Sequence, residues 1–199
     1  MMRRAWRITK AINADDAFDG EGARLYGSRW STPGHRVAFA SETLSLATLE
    51  VFVHLQTSSL LAAYVCFSVE FSEEWAKHLD PGLLPKNWRR FPAPAEIQGI
   101  GDRWVRESSS LLLQVPSAII PQEFNFLINP AHEDFPKLKI EGPMPFGIDA
   151  RLLMAVRYRS LPPKNRGRPP SPDLRFLLHF PVPFPGFEDH GVHEQLQEE

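Results

Sequence analysis

Short apolar runs bounded by turn residues recur along the chain ahead of its proline-rich end, and they read as strands interleaved with few helices. Arg4–Ile8 predicts a first strand, Arg36–Ala40 a second, and Ala63–Phe71 a third that is rich in β-branched and aromatic residues. Leu111–Val115 predicts a buried strand ending at Pro116, and Phe124–Ile128 another stopped by Asn129–Pro130. Leu44, Ala47, Val51 and Leu55 recur at helical spacing, so a helix is expected from Ser41 to about Leu55. Ser41 is its expected N-cap, the hydroxyl satisfying a free amide, with Glu42 against the positive helix start. Asp19–Arg29, punctuated by Gly20, Gly22 and Gly27, reads as loop, and Gly101–Ser110 as helix or turn. This order predicts an α+β fold rather than a regular βαβ winding, and no internal repeat is visible.

Composition narrows the picture. The chain has 199 residues, enough for one domain with an appendage, and 43% are apolar, enough for a core. Twenty-two basic and 24 acidic residues leave a net charge of −2, which lacks the basic footprint of a nucleic-acid-binding protein. The single Cys66 excludes an internal disulfide and a cysteine-based zinc site, so a reducing, cytoplasmic setting is expected. No apolar run follows the basic Met1–Lys10, so a secretory leader is not expected. No stretch reaches the roughly 18–20 apolar residues that cross a bilayer, so no membrane partner is expected. Prolines recur at 162, 163, 169, 170, 172, 181, 183 and 185, among several arginines and ahead of an acidic end. Residues 156–199 therefore read as a poorly ordered extension; a proline-rich ligand for a partner, or an arm reaching nucleic acid, is the functional alternative.

The candidate chemistry is sparse. Gly99-Ile-Gly101 lacks the third glycine and the preceding strand of a dinucleotide fingerprint, so turn glycines are expected there. Ser108–Ser110 and Ser117 lack a nucleophile elbow. His190 and His193 have no third ligand nearby, so no metal site is expected. Glu50 is different: its neighbours Leu49, Val51, Phe52 and Val53 are all apolar. A carboxylate in such a run is costly unless it is paired, hydrogen-bonded or functional. Arg29 follows a glycine turn and precedes Trp30, which suits a half-buried guanidinium in a cleft. A purely structural Arg29–Glu50 ion pair is the competing reading, and neither residue identifies a reaction by itself.

An ordered series of motifs goes further. It runs through Trp6-Arg7-Ile8, Phe18–Ala23, Gly27-Ser-Arg29-Trp30, Phe39-Ala-Ser41 and Leu49-Glu50–His54, then Gly101–Trp104, Leu113–Ser117, Glu123-Phe-Asn125, Leu127–His132 and Ile148–Leu152. In this series the chain resembles the RES domain family across roughly residues 3–153, with the domain expected over 1–155. The resemblance implies an α+β, ADP-ribosyltransferase-like mixed sheet with few helices. It implies the toxin of a bacterial toxin–antitoxin pair that binds NAD+ as substrate and breaks the nicotinamide–ribose bond, without a resident cofactor or metal. ADP-ribose would pass to water, to phosphate or to a protein acceptor. The implied partner is an Xre-like helix-turn-helix antitoxin, without which no direct contact with nucleic acid is expected.

Carried onto this chain, the resemblance assigns Glu50 to the developing ribose cation and Arg29 to a phosphate or the adjoining ribose. Arg7 becomes a second phosphate ligand, Phe39 a wall for nicotinamide, and Ser117 a hydrogen-bonding partner of ribose or the nicotinamide amide. Family members commonly carry Tyr where this chain has Phe39, with Tyr26 and Tyr64 as candidate substitutes for the hydroxyl. The proline-rich end matches nothing in the family: it is a lineage-specific arm or the product of a damaged reading frame. On the second alternative the domain would be inactive and would only bind its antitoxin.

Overall fold

The computed structural model describes residues 1–54 and 63–149; the expected extension over 156–199 and the His190/His193 pair lie outside the described residues. Among the described residues seven strands form one sheet: β1 (Met2–Lys10), β2 (Ala38–Ser41), β3 (Tyr64–Ser72), β4 (Ala76–His78), β5 (Leu112–Pro116), β6 (Phe124–Ile128) and β7 (Lys139–Phe146). Their spatial order is β4-β5-β6-β2-β1-β3-β7, antiparallel throughout except for the β4–β5 pair. Three α-helices accompany the described sheet: α1 (Glu21–Tyr26), α2 (Leu44–Phe52) and α3 (Ala95–Glu107). The architecture is the α+β mixed sheet with few helices that the sequence predicts.

Period-two alternation sorts the side chains onto two faces. Register pairs run from Ala38↔Ile128 to Ser41↔Asn125, so Ala38 and Ala40 share a face with Ile128 and Phe126. That face closes over Ala5, Val69, Phe71 and Leu112, with Phe71 and Phe126 meeting edge to face at 5.1 Å. The opposite face carries Phe39, Leu113, Val115 and Leu127 against Ile97 and Trp104 of α3. Beside it α2 lays Ala47 on Ile8, Tyr64 and Cys66.

The centre of the sheet is a seam. β1 pairs with β3 along its whole length, from Met2↔Ser72 to Lys10↔Tyr64, yet it meets β2 at the one register pair Trp6↔Ser41. Beyond that pair the two strands part, and the open seam becomes the site described below.

Four local expectations change. Ser41 does not cap α2; it ends β2, and Thr43 caps instead, its Oγ1 accepting from the Leu46 amide at 3.0 Å. Glu42 accordingly serves β6, exchanging bonds with the Phe124 backbone (2.9 and 3.0 Å) instead of facing the helix start. The supposed loop Asp19–Arg29 contains α1, whose first amide, that of Glu21, donates to Asp19 Oδ1 at 2.8 Å. Gly99 and Gly101 lie inside α3, not in a turn. A Cβ on Gly101 would stand 1.8 Å from the Trp30 carbonyl oxygen, so glycine is needed there for close packing. β7 escapes the strand pattern because it holds Pro143 and Pro145, residues tolerated on an edge strand that need not donate outward.

Candidate active site

Glu50 lies on α2 three and four residues after Ala47 and Leu46, both buried, so the helix turns its flank toward the sheet. Its Oε1 accepts two bonds, from Ser117 Oγ at 2.9 Å and from Asn125 Nδ2 at 2.6 Å. Ser117 follows β5, is fully buried, and accepts the amides of Ile119 and Ile120 at 3.0 and 3.1 Å. Its one hydroxyl proton thus goes to Glu50 and its lone pairs to the backbone. Ser117 is thus bonded to Glu50 and buried, without a free hydroxyl proton.

Arg29 is set in a corner built by α3. Gln98 Nε2 donates to the Ser28 carbonyl at 2.9 Å, and Asp102 accepts from the Thr32 amide and hydroxyl at 2.9 and 2.8 Å. Gly101 lets the helix touch Trp30. Positions 98, 101 and 102 share one helical face, so three α3 residues hold the turn on both sides of Arg29. The guanidinium donates through Nη1 to the carbonyls of Trp88 and Arg90 at 2.9 and 3.1 Å. Burial pulls its pKa below the ordinary arginine value, and the Glu50 charge opposes that pull. The two side chains feel each other, but no ion pair within 4.0 Å joins them, so the purely structural salt bridge does not form.

Arg7 occupies the open seam. Its Nη1 donates to the Phe39 carbonyl at 2.8 Å, replacing the strand partner that β1 does not supply. The guanidinium lies over the Phe18 ring, 5.7 Å from its centre. Its Nε is buried without a hydrogen-bond partner. Burial pushes the Arg7 pKa down to about 10, partly countered by Asp19, so the group stays charged at neutral pH with an unmet donor. A cleft of about 480 Å³ opens on it, lined also by Thr9, Asn13, Asp16, Asp19, Glu21, Phe39 and the glycines 20, 22 and 27. Gly20 takes φ 71°, and a Cβ there would meet the Val37 nitrogen at 2.6 Å.

Direct contacts and, for Arg29, the Glu50 charge link the five sequence-expected residues in two groups. Glu50, Ser117 and Arg29 form the first, and Arg7 and Phe39 the second. β2 links them: Phe39 and Ser41 share a face two residues apart, and Ser41 bonds Asn125, which bonds Glu50. Asn125 is the residue that sequence reasoning missed, although its amide on the apolar face of a short buried strand was a visible signal. Tyr26 is exposed and Tyr64 is buried beside Ala47; neither lines the cleft, so neither replaces the hydroxyl absent at Phe39. Among the described residues no cluster of three or more His, Cys, Asp or Glu could hold a metal ion, and no helix is long and apolar enough to cross a membrane.

Fold and site together define a mixed-sheet α+β domain with a clamped carboxylate beside a half-buried arginine and a second, buried arginine in the central seam. The same fold occurs in the M. tuberculosis MbcT–MbcA toxin–antitoxin complex, with a TM-score of 0.63 over 79% of this chain and 90% of that one, at 19% identity. The RES domain model matches residues 4–149, and the chain belongs to this family. Among its relatives are proteins named Toxin Res from Yersinia enterocolitica (39% identical over 74% of this chain and 97% of the relative) and Photorhabdus laumondii (38%, 76% and 98%). Another is the Prs ADP-ribosylating toxin of a Sphingobium species (34%, 74% and 95%).

Proposed function

We propose that this protein is the toxin of a toxin–antitoxin pair and that it consumes NAD+ by breaking the nicotinamide–ribose bond, passing ADP-ribose to water or phosphate. The observation that carries the reading is Glu50, held through one carboxylate oxygen next to Arg29 and one strand away from the Arg7 cleft. Departure of neutral nicotinamide leaves positive charge on the ribose, and a fixed carboxylate stabilises that charge without having to reorganise. Oε2 of Glu50 is the oxygen that meets the ribose. Arg29 and Arg7 hold the pyrophosphate, whose oxygens suit the guanidinium forks. Phe39 offers a ring face to nicotinamide.

The family relationship and the names of the curated relatives support the toxin reading. By the same reading the partner is an Xre-like helix-turn-helix antitoxin that hides the site. Incubation with NAD+ should release nicotinamide without labelling protein, and expression in bacteria should arrest growth for the wild type but not for Glu50→Ala. No nicotinamide release by the wild-type chain would overturn the proposal. The Prs relative, named for ADP-ribosylation, favours one second reading: transfer to a protein acceptor. Stoichiometric labelling of a protein would select it.

A further inference from the structure

We infer that Asn125 is a positioning residue for Glu50, and that Ser41 sets the direction in which the Asn125 amide points. The inference deepens the reading above by adding two side chains that the catalytic assignment leaves out. An ionised carboxylate only accepts hydrogen bonds, so the amide must turn Nδ2 toward Glu50. Its carbonyl oxygen then faces the other way and needs a donor, and Ser41 Oγ supplies one at 2.7 Å. Ser41 is buried and directly opposite Asn125 in the β2–β6 register. The chain of bonds Ser41→Asn125→Glu50 therefore has one self-consistent orientation.

Its effect converges with that of Ser117. Asn125 and Ser117 both donate to Oε1, from strand β6 and from the turn after β5. Two donors on one oxygen fix the carboxylate plane and direct Oε2 to the reacting ribose. A rigid sheet thereby orients a side chain that the helix alone would leave with free rotamers. Asn fits this position where its close relatives do not. Asp would bring a second acceptor against Glu50, and Ala would leave Oε1 one donor short.

The test compares Asn125→Ala, Asn125→Asp and Ser41→Ala with the wild type. Asn125→Ala should lower kcat for nicotinamide release by about 10- to 100-fold while KM for NAD+ moves less than about threefold. Asn125→Asp should lose more than Asn125→Ala, because it adds repulsion to the lost bond; Ser41→Ala should lose less than either. A merely structural Asn125 would instead leave kcat of the folded fraction unchanged, or would change KM and kcat together. Hydrogen exchange of the Asn125 side-chain amide gives a readout independent of activity. Exchange should be slow in the wild type and faster in Glu50→Ala. Slow exchange in a chain that releases no nicotinamide would sink the proposed reaction and keep the orientation. Fast exchange in the wild type, or an unchanged kcat in Asn125→Ala, would overturn the inference.

Discussion

The two charged centres of the site are built on opposite principles. Glu50 is satisfied before any ligand arrives: two neutral donors from the sheet hold one of its oxygens. Arg7 is the reverse, a charge taken partly out of water with one backbone acceptor, an aromatic face and a buried Nε that bonds to nothing. The first pattern is preorganisation, in which the alignment of the reacting group is complete in the free protein. The second leaves one buried donor unmet. Folding places both within the reach of β2, so one strand couples a finished end to an unfinished one.

The sharpest way to break this contrast is at the finished end. Glu50→Gln keeps the shape and loses the charge, and nicotinamide release should fall by about 100- to 1000-fold with little change in NAD+ affinity. Equal losses in kcat and affinity would instead mean that Glu50 serves mainly as a ligand. Gly101→Ala comes next. The added methyl would collide with the Trp30 carbonyl, so stability should fall by about 1–3 kcal/mol, read as a lower Tm. Arg29, one residue from the collision, should shift with it, so nicotinamide release and NAD+ binding should both weaken.

At the unfinished end, Arg7→Met should weaken ADP-ribose binding by about tenfold or more, with a smaller effect on Tm than a severed buried ion pair would have. A collapse of Tm would show instead that the guanidinium mainly closes the seam. The same group predicts a pH limit. The folded pKa of Arg7, about 10, lies below the ordinary arginine value, so between the two the unfolded chain holds more protons and folding gains stability as pH rises. Well below pH 10 the desolvated charge is present in full, and an anion relieves it. ADP-ribose binding should therefore stay level through neutral pH and weaken as pH passes about 10. Phe39→Tyr should have the smallest effect, a gain in activity of at most about tenfold, because one restored hydroxyl contributes about 0.5–1.5 kcal/mol.

Much of this layout is legible in the chain. β6 appears at its observed bounds because Phe124–Ile128 is a compact apolar run ended by Asn129–Pro130. Glu50 stands out because charge among four apolar neighbours needs a reason. The missed elements lack such signals: α1 is six residues long and opens on glycine, β4 is three residues long, and β7 carries two prolines. Gly101 resembles a turn residue in sequence, because the Trp30 carbonyl that requires it is contributed by a segment some seventy positions earlier.

By itself, then, the sequence marked Arg7 only through the family resemblance, but it determined the class of fold and most of the strands and singled out Glu50 and Arg29. Those follow from local periodicity and from the cost of burying charge, which neighbours in the chain reveal. Tertiary structure alone decided which donors meet Glu50, that Ser117 is one of them, that Asn125 and Ser41 join the chain of bonds, and that Arg7 fills a seam. These depend on strand register and on where β1 and β2 part, and both are set by pairing among segments remote along the chain.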